Sequence, residues 1–405
     1  MTAPRSGPSR QGEGGEMRPS REALAGTEER SDALVRVRPG RGLAVSVRTR
    51  TGPMYEEHIA SLVRDALNEY GVEGAHVEVE EAGAYDHVIL ARLEAALSRS
   101  VGSEEPFRSP LPPPDRPPTS RNRPRRTRLY VPGGNARLLA FADSLRPDCL
   151  LLDLEDAVAP SEKDSARFLV RRALATMGFE APELWVRINP LNAGGADDIA
   201  LVAAGHPHGI CLPKAEDPSQ VLALADLLSS VEGLYSVPWT LWIMPIIESP
   251  RGVLAAADIA GASERVVGLA FGAEDYTREV GAQRSWEALL WARSQLVASA
   301  KASGVQASDT VFPNVEDEEG LREEARRARE LGFDGKGVIH PHQIAIVHDA
   351  FAPSAAEVAW ARGVVEEAAN EGRGVVAHEG QMIDRPVLER AKRILEQLPE
   401  GTDAD

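Results

Sequence analysis

The segment CLLLDLEDAV, Cys149 to Val158, joins an apolar run to a group of acidic residues. The apolar run suits a buried β-strand, but it ends in Asp153, Glu155 and Asp156. Carboxylates packed at the end of a buried strand repel one another and retain their protons unless a cation neutralises them. The segment therefore predicts that a cation, such as a divalent metal ion, lies near this strand end.

Polar side chains also follow other apolar runs of the chain. Glu248 follows LWIMPII, and Asp275 follows VVGLAFGAE. Oxygen ligands without a cluster of Cys or His favour Mg2+ over Zn2+, and Mg2+ usually takes only one or two protein carboxylates. We predict Glu248 and Asp275 as metal ligands; ion pairing with Arg187, Arg251 or Lys214 is the alternative. The further polar residues at strand ends are Asn189, Glu274 and His340, the last of which equally suits a structural role.

Two other segments carry candidate functional residues. In YVPGGNARLL, a Pro-Gly-Gly loop leads to Asn135, a suitable N-cap, and the N–H groups of a helix N-terminus bind anions readily. Arg137 adds a positive charge in the first turn, although an ordinary turn would have the same sequence. Asp384, two residues before Pro386, is either a helix cap or a carboxylate placed over a binding site.

The elements that position these residues alternate in type. Beyond residue 126, eight apolar strand candidates alternate with helical stretches, and the strands are continuous Val, Ile and Leu runs. Such runs are typical of a parallel sheet covered by helices. Eight units predict an α/β fold, the (β/α)8 TIM barrel, with its functional site at the C-terminal ends of the strands. An open doubly wound sheet is the alternative.

Composition divides the chain into further segments. The N-terminal unit predicts a small α+β domain in which helices cover an antiparallel sheet and PGRG forms a turn between two strands. A Pro/Arg-rich segment follows, which we expect to be an extended linker with solvated arginines. The predicted division is a disordered lead (1–22), an acyl-carrier-like domain (23–100), the linker (101–125), the barrel (126–350), a C-terminal helical extension (351–398) and a tail (399–405).

The acidic composition excludes some classes of protein. The formal net charge is −17 and the pI is about 5.1, which argues against a general affinity for nucleic acid or anionic membranes. No apolar stretch reaches the ~18 residues of a membrane span, and the N-terminus lacks the apolar region of a signal peptide. We therefore expect a soluble, cytoplasmic protein in which Cys149 and Cys211 are free, buried thiols.

From about Arg126 to Leu395 the chain resembles the citrate lyase β-chain family of Mg2+-dependent acyl-thioester lyases. The motifs that carry the resemblance occur in order: LYVPGGNAR, DLEDAV, VRIN, LPKAE, IIESPRG, FGAEDY, GFDGKGVIHP and EGQMIDRPV. The resemblance implies a homotrimer in which one subunit contributes a catalytic aspartate to its neighbour's site. The residues that it implies are Glu248 and Asp275 as metal ligands, Asp384, Arg187 and Glu155 as catalytic residues, and Arg137, Arg187 and Lys214 as contacts of the substrate or its carrier.

The N-terminal unit has a resemblance of its own. AGTEERSDALVRVRP and EEAGAYDHVILARLEAAL look like the citrate lyase acyl carrier protein, the γ subunit. In that family a serine of the first motif carries a phosphoribosyl-dephospho-CoA arm with a terminal thiol. Here Arg30 occupies the serine position and Ser31 follows it. Ser31 is the candidate attachment residue; the alternatives are that it is a turn residue or that the arm is absent.

These resemblances imply a lyase that cleaves a citryl thioester to oxaloacetate and an acetyl thioester. Mg2+ would acidify the substrate hydroxyl, Asp384 would accept its proton, and Arg187 would stabilise the developing charge. A citrate lyase α subunit is a possible partner. One alternative is a lyase or thioesterase for free malyl-CoA or citramalyl-CoA, with the N-terminal unit as an assembly module and Arg125, Arg126 and Arg128 near the CoA phosphates. A non-catalytic scaffold is disfavoured because every motif carboxylate is present.

Overall fold

The computed structural model describes residues 17–102, 109–142, 144–179, 182–371, 376–378 and 381–396. The β-strands in these segments are β1 (Ala23–Ala25), β2 (Ala33–Pro39), β3 (Ala44–Thr49), β4 (Ala75–Glu81), β5 (Thr127–Pro132), β6 (Cys149–Asp153), β7 (Glu183–Arg187), β8 (Gly209–Leu212), β9 (Trp242–Ile247), β10 (Gly268–Phe271), β11 (Gln306–Asp309), β12 (Gly335–Val338), β13 (Val376–His378) and β14 (Gln381–Ile383).

The α-helices lie between and after these strands. They are α1 (Glu56–Glu69), α2 (Asp86–Val101), α3 (Ala136–Ala142), α4 (Lys163–Thr176), α5 (Gly195–Val202), α6 (Pro218–Tyr235), α7 (Pro250–Gly261), α8 (Ala273–Val280), α9 (Trp286–Ala302), α10 (Glu318–Leu331), α11 (His342–Phe351), α12 (Ala355–Glu371) and α13 (Arg385–Leu395). Within the described segments, none of them is long and apolar enough to cross a membrane.

The eight strands β5 to β12 form the predicted closed barrel. Each pairs in parallel with the next, and β12 pairs with β5. All five residues of β6 are buried, because helices cover the outer face and side chains fill the interior. The free thiols of Cys149 and Cys211 are buried, as predicted. The TIM barrel is confirmed, and the open sheet is excluded.

The seventh barrel strand differs from its predicted position. We predict DTVFPN, from Asp309 onwards, whereas β11 spans Gln306–Asp309. Ser308 and Asp309 are buried in the barrel, and the Asp309 carboxylate accepts hydrogen bonds from Arg293 at 2.8 Å and Lys336 at 2.8 Å. Because the strand buries Ser308 and the paired carboxylate of Asp309, it lacks the apolar run that marks the others.

The N-terminal domain has a mixed sheet rather than an antiparallel one. Its strand order is β1-β2-β4-β3, so β4 lies between the two strands expected to form a hairpin. The prediction of an antiparallel sheet with a PGRG hairpin is therefore wrong. Helix α1 connects β3 to β4, and a helical crossover joins parallel strands, so β3 pairs in parallel with β4.

The predicted disorder of residues 1–22 does not extend to its last residues. Met17 donates its N–H to the carbonyl of Gly71 at 3.1 Å, and Ser20 donates to the carbonyl of Ser100 at 3.0 Å. Residues 1–16 and the tail 399–405 lie outside the described residues. The chain from Met17 therefore belongs to the small domain.

The linker arginines bind the barrel instead of solvent. From residue 109 to 124 the linker has no helix or strand, yet Arg116 donates to the carbonyl of Leu174 and Arg125 is buried. Arg125 pairs with Glu183 at the start of β7, with distances of 2.6 and 2.9 Å. A proline-rich segment offers its own arginines few hydrogen-bond acceptors. These arginines therefore bind acceptors on the barrel. The prediction of solvated arginines is wrong at these positions.

Helix α2 of the small domain packs against α4 of the barrel through buried ion pairs. The carboxylate of Glu94 on α2 is fully buried and accepts hydrogen bonds from Arg172 at 2.9 Å and Arg171 at 3.3 Å. The hydroxyl of Tyr70 also donates to Glu94 at 3.1 Å. Charges this deeply buried lose hydration that only their partners replace. The two domains are thus joined by a desolvated ionic contact as well as by the linker.

The C-terminal helices and strands form a separate small module. Helix α12 packs on α13, and their apolar cluster comprises Ala361, Val364, Ala391 and Ile394. The ion pair between Arg329 on α10 and Glu357 on α12, at 2.9 Å, connects the module to the barrel. The module's apolar residues therefore face one another rather than the barrel.

Glu94→Gln is expected to lower the free energy of unfolding by about 3 kcal/mol or more, because Arg171 and Arg172 stay buried without their anion. Urea denaturation at fixed pH measures this change. The control is Glu80→Gln, whose half-exposed pair with Arg48 at 3.5 Å should contribute about 0–1 kcal/mol. Equal effects of the two substitutions would contradict the stabilising role of the interface charge.

Candidate functional site

The side chain of Arg187 is fixed at the carboxyl end of the barrel by Asp153. Its Nε and Nη2 each donate a hydrogen bond of 2.7 Å to the two oxygens of that carboxylate. The guanidinium also lies over the ring of Tyr130, 5.4 Å from its centroid. Burial lowers the pKa of Arg187, but the hydrogen bond and charge of Asp153 outweigh burial and raise it above its ordinary value. The guanidinium is therefore a permanent, oriented positive charge.

Glu155 lies between the two cations of the site. Its Oε2 is 2.8 Å from Nη1 of Arg187, and its Oε1 accepts a hydrogen bond from Nζ of Lys214 at 2.8 Å. Burial raises the pKa of Glu155, while Arg187 and Lys214 oppose that shift. Lys214 has φ 51°, a left-handed conformation that is rare for lysine and tends to occur at functional sites. Glu155 thus links strands β6, β7 and β8.

Glu248, which follows β9, has a different environment. It is 5% exposed, and among the described residues its carboxylate accepts a hydrogen bond from the backbone N–H of Lys214 at 2.6 Å but forms no ion pair. Burial raises the pKa of Glu248 to about 8, and the charges of Glu155 and Asp275 contribute in the same direction. Gly272 permits this position, because a Cβ there would come within 2.6 Å of Oε2 of Glu248.

Asp275 lies in the first turn of α8 and faces the same cavity as Glu248. This cavity, of about 460 Å³, is lined by Asp153, Arg187, Glu248 and Asp275, among others. Asp275 forms a 2.8 Å ion pair with Arg278, one turn along the same helix. The alternative pairing of Glu248 and Asp275 with Arg187, Arg251 or Lys214 side chains does not occur.

The donor set fits a magnesium ion. Within the described residues, no group of three or more His, Cys, Asp and Glu side chains is arranged to hold a metal. Two carboxylates suffice for Mg2+, which keeps several waters and takes further ligands from its substrate. Glu248 is buried without a cationic partner, so a divalent ion beside it would restore its charged form.

Two predicted residues lie away from the cavity. Arg137 is exposed in the first turn of α3. Asp384 caps α13, where its Oδ1 accepts a hydrogen bond from the N–H of Val387 at 3.1 Å, and it is exposed in the C-terminal module. The structure thus shows the helix cap predicted as one alternative for Asp384, and among the described residues its second oxygen has no hydrogen-bond partner.

The suggestion that linker arginines hold CoA phosphates is wrong for this chain. Arg125 is buried against Glu183, and Arg128 lies inside the barrel at 1% exposure. Arg126 forms a bidentate pair with Asp148 at 3.0 Å. These residues precede or begin β5, so they lie at the end of the barrel opposite the cavity.

Nδ1 of His340 accepts a hydrogen bond from the backbone N–H of His342 at 3.3 Å, an arrangement that suits a structural role.

Sequence reasoning named Asp153 only as a strand-end carboxylate, without its role, and it missed Tyr130 and Lys163. Tyr130 stacks on Arg187, Asp153 orients it, and Lys163 donates to the carbonyls of Leu154 and Glu155 at 2.7 and 2.5 Å. Asp153 carried a signal, because it ends the strand before Glu155. Tyr130 and Lys163 carried none, since their roles depend on where β5 and α4 meet the DLED loop.

Comparison with known proteins identifies the family. Residues 126–341 match the family described as HpcH/HpaI aldolase/citrate lyase. The chain belongs to this family. Residues 20–100 match a second family, ACP, described as malonate decarboxylase delta subunit (MdcD), so the resemblance of the N-terminal domain to acyl carrier proteins is confirmed at this level.

Named relatives are lyases with different substrates. The chain is 41% identical over 284 residues to citrate lyase subunit beta of Haemophilus influenzae, a match that covers 68% of this chain and 98% of the relative. It is 34% identical over 288 residues to mitochondrial citramalyl-CoA lyase of Rattus norvegicus, covering 67% and 85%. The chain is thus a carbon–carbon lyase of this family, and the relatives differ in acyl group.

A solved structure supports the metal assignment at family level. The protein CitE of Mycobacterium tuberculosis, in complex with magnesium, acetoacetate and coenzyme A, is similar with a TM-score of 0.56 and 33% identity. The match covers 69% of this chain and 99% of that one. Magnesium binding is therefore a property of a homologue.

Glu248→Gln is expected to remove a pH dependence of stability from the metal-free protein. The folded protein keeps the Glu248 proton up to about pH 8, whereas an unfolded glutamate loses it near about pH 4.3. The folded state binds more protons between these values, so stability falls as pH rises through this window. Melting temperatures in EDTA from pH 5 to 8.5 measure the decline.

The matched control is Glu274→Gln, because Glu274 is exposed beside the same cavity and pairs with Arg284. It should keep the full decline. A decline of the same size in Glu248→Gln would show that Glu248 does not carry the proton.

Proposed function

We propose that this protein cleaves a 3-hydroxy-3-carboxyacyl thioester, with a citryl thioester as the leading substrate, to oxaloacetate and an acetyl thioester. The proposal rests on two groups that line one cavity. The first is an oriented cation, and the second is a buried carboxylate that forms no ion pair among the described residues. Arg187 supplies the first and Glu248 the second. An anionic substrate in a protein of net charge −17 needs such local positive charge.

Glu248 and Asp275 would hold a magnesium ion in this cavity. When bound, the ion would supply Lewis-acid chemistry, lowering the pKa of a coordinated hydroxyl and stabilising the negative charge on its oxygen. Binding would also displace the proton of Glu248, whose pKa is raised in the metal-free protein. Glu248 would thereby regain its ionised form.

Arg187 and Lys214 would bind and orient the carboxylates of the substrate. Asp153 holds the guanidinium in one orientation, so no reorganisation is needed when charge develops on the thioester side. The Tyr130 ring beneath it excludes water from one face of the guanidinium. Lys214, tethered through Glu155, adds a second cation in an adjoining pocket that Glu248 and Asp275 also line.

Asp384 would serve as the base that removes the hydroxyl proton, acting in a neighbouring subunit of a trimer. Its support is the structure of the C-terminal module, which is closed on its own apolar cluster and exposes Asp384. Within one chain Asp384 does not line the cavity. A neighbouring copy would then complete the site.

Ser31 would carry the acyl group on a phosphoribosyl-dephospho-CoA arm. Support comes from the match of residues 20–100 to an acyl-carrier family and from the turn conformation of Ser31, with φ 69°. The second candidate function is cleavage of free citramalyl-CoA or malyl-CoA. It is favoured by the 34% identity to citramalyl-CoA lyase and by the homologue solved with coenzyme A.

Mixed assemblies test the shared site. Glu248→Gln and Asp384→Asn should each reduce kcat at least about a hundredfold, because each removes a group from the reacting centre. Assembled together from differently tagged chains and purified through both tags, they should recover about one third of the wild-type sites, since each mixed trimer with a heterologous cyclic interface has one site with both intact residues. Turnover of the purified mixture is the measurement.

The control mixture combines Glu248→Gln with Asp275→Asn. Both substitutions affect the same metal pair of one chain, so every site lacks one ligand and no recovery is expected. If the mixture of Glu248→Gln with Asp384→Asn also shows no recovery, Asp384 is not a base supplied by the neighbouring chain.

Intact mass of protein purified from its own host, with peptide mapping across Ser31, decides the carrier. A mass increase equal to the arm, located on Ser31, supports a self-contained carrier and lyase. Ser31 could instead be unmodified, and the protein could cleave free malyl-CoA or citramalyl-CoA with Mg2+. This result would show that the substrate is a CoA thioester and not a citryl carrier. Ser31→Ala should abolish the mass increase and leave the cleavage of free thioesters unchanged.

A further inference from the structure

One guanidinium connects the Ser31 turn to the barrel. Arg92 on α2 is buried at 3% exposure and binds both oxygens of Asp32 at 2.9 and 3.0 Å. Asp32 follows Ser31 directly, and it is also held by the hydroxyl of Thr27 at 2.9 Å. The backbone N–H of Ser31 donates to the carbonyl of Ala82 at 2.8 Å. The turn is thus fixed on both sides of Ser31.

The same guanidinium also binds two elements of the barrel. Its Nη1 donates to the hydroxyl of Ser165 on α4 at 2.7 Å, and its Nη2 donates to the carbonyl of Gly134 at 3.2 Å. Because Nη2 contacts both Asp32 and Gly134, the Ser31 turn lies beside the loop between β5 and α3. That loop is at the carboxyl end of the barrel, as is the cavity.

The loop is continuous with the catalytic ion pair. The N–H of Gly133 donates to the carbonyl of Asp153 at 2.8 Å, and Asp153 holds Arg187. Gly133 is required for this approach, because a Cβ there would lie 2.8 Å from that carbonyl oxygen. The Ser31 turn and the cavity therefore flank the same short loop.

Further contacts prevent the small domain from rotating about Arg92. Arg99, two turns along α2, pairs with Asp164 at 2.6 and 2.7 Å and donates to the carbonyl of Leu24 at 2.6 Å. Glu94, with its pairs to Arg171 and Arg172, forms a third contact on the same helix. The hydrogen bonds of Arg92 and the ion pairs of Glu94 and Arg99 thus hold α2 to the barrel at three points, which favours one orientation of the domain.

We propose that the N-terminal domain is a docked carrier, in which Arg92 positions Ser31 so that an acyl group attached there enters the cavity of the same chain. The proposal rests on the proposed function of Ser31 and the barrel, and it identifies Arg92 as a positioning residue. A carrier held in one orientation presents its acyl group at a higher effective concentration than one on a freely moving tether.

A distance measurement tests the docking without reference to activity. Nitroxide labels are placed on the full chain through Ser31→Cys and Leu138→Cys, because Leu138 is exposed on α3 while Cys149 and Cys211 are buried. Excess unlabelled chain restricts pulsed-EPR signals to one subunit. We expect one narrow distribution of the distance between the two labels, centred at a short distance. A broad or long distribution would overturn the docked carrier.

Substitution of Arg92 should broaden this distribution. Arg92→Met leaves Asp32 buried without its cation, so the double variant Asp32→Asn/Arg92→Met, which removes both charges, is measured beside it. Arg92→Lys keeps the charge but not the forked geometry and should give an intermediate result. The control is Arg36→Met, because Arg36 pairs with Glu22 and Glu78 within the small domain.

A tethered substrate tests delivery to the cavity. A pantetheine arm with a maleimide at one end and an acyl thioester at the other is coupled to the Ser31→Cys variant. Its single-turnover cleavage with Mg2+ is compared with cleavage of the same free thioester. The ratio of tethered to free rates should fall about tenfold or more in Asp32→Asn/Arg92→Met, because effective concentration depends on geometry. An unchanged ratio would overturn the positioning role of Arg92.

The outcomes separate this proposal from the proposed lyase. Cleavage of free thioesters without cleavage of the tethered one would overturn the docked carrier and leave the lyase intact. If neither is cleaved, the proposed lyase function fails, and the distance distribution still decides whether the domain is docked. In mixed assemblies, the tethered group could instead be cleaved only at the site of a neighbouring chain. That result would overturn delivery to the cavity of the same chain.

Discussion

The arrangement of charge at the carboxyl end of the barrel depends on one ion pair, Arg187 with Asp153. This bidentate contact orients the guanidinium, which in turn compensates Glu155. Lys214 completes the neutralisation of Glu155, and among the described residues no cationic side chain pairs with Glu248. Burial raises the pKa of Glu248, and the nearby charges of Glu155 and Asp275 raise it further. A divalent cation beside Glu248 would favour its charged form.

Buried charge also determines how the two domains are joined. Glu94, Arg92 and Arg99 lie along one helix of the small domain, and each binds a barrel partner. Such contacts contribute little net stability compared with apolar packing, but they tolerate little displacement, because a separated partner is left desolvated. The interface thus favours one orientation of the domains. A flexible tether alone would not impose that restriction.

The errors of sequence analysis share a physical origin. The pairing of β3 with β4 was missed because strand partners are chosen by crossover connections, not by proximity along the chain. The start of β11 was missed because the strand buries Asp309, whose carboxylate pairs with the distant charges of Arg293 and Lys336. The arginines of the linker were placed in solvent because their acceptors are carbonyls and carboxylates of the barrel. In each case the partner is remote in sequence.

The sequence by itself determined the barrel, the order of its strands and the polar residues at their ends, because continuous apolar runs and helical periodicity are local signals. Motif order was enough to indicate the family. Only the tertiary structure decided that Asp153 orients Arg187, that Glu248 is the carboxylate without a cation, and that the Ser31 turn lies beside the Gly134 loop. These properties depend on burial and on contacts between residues that are far apart in the chain, and no local pattern encodes them.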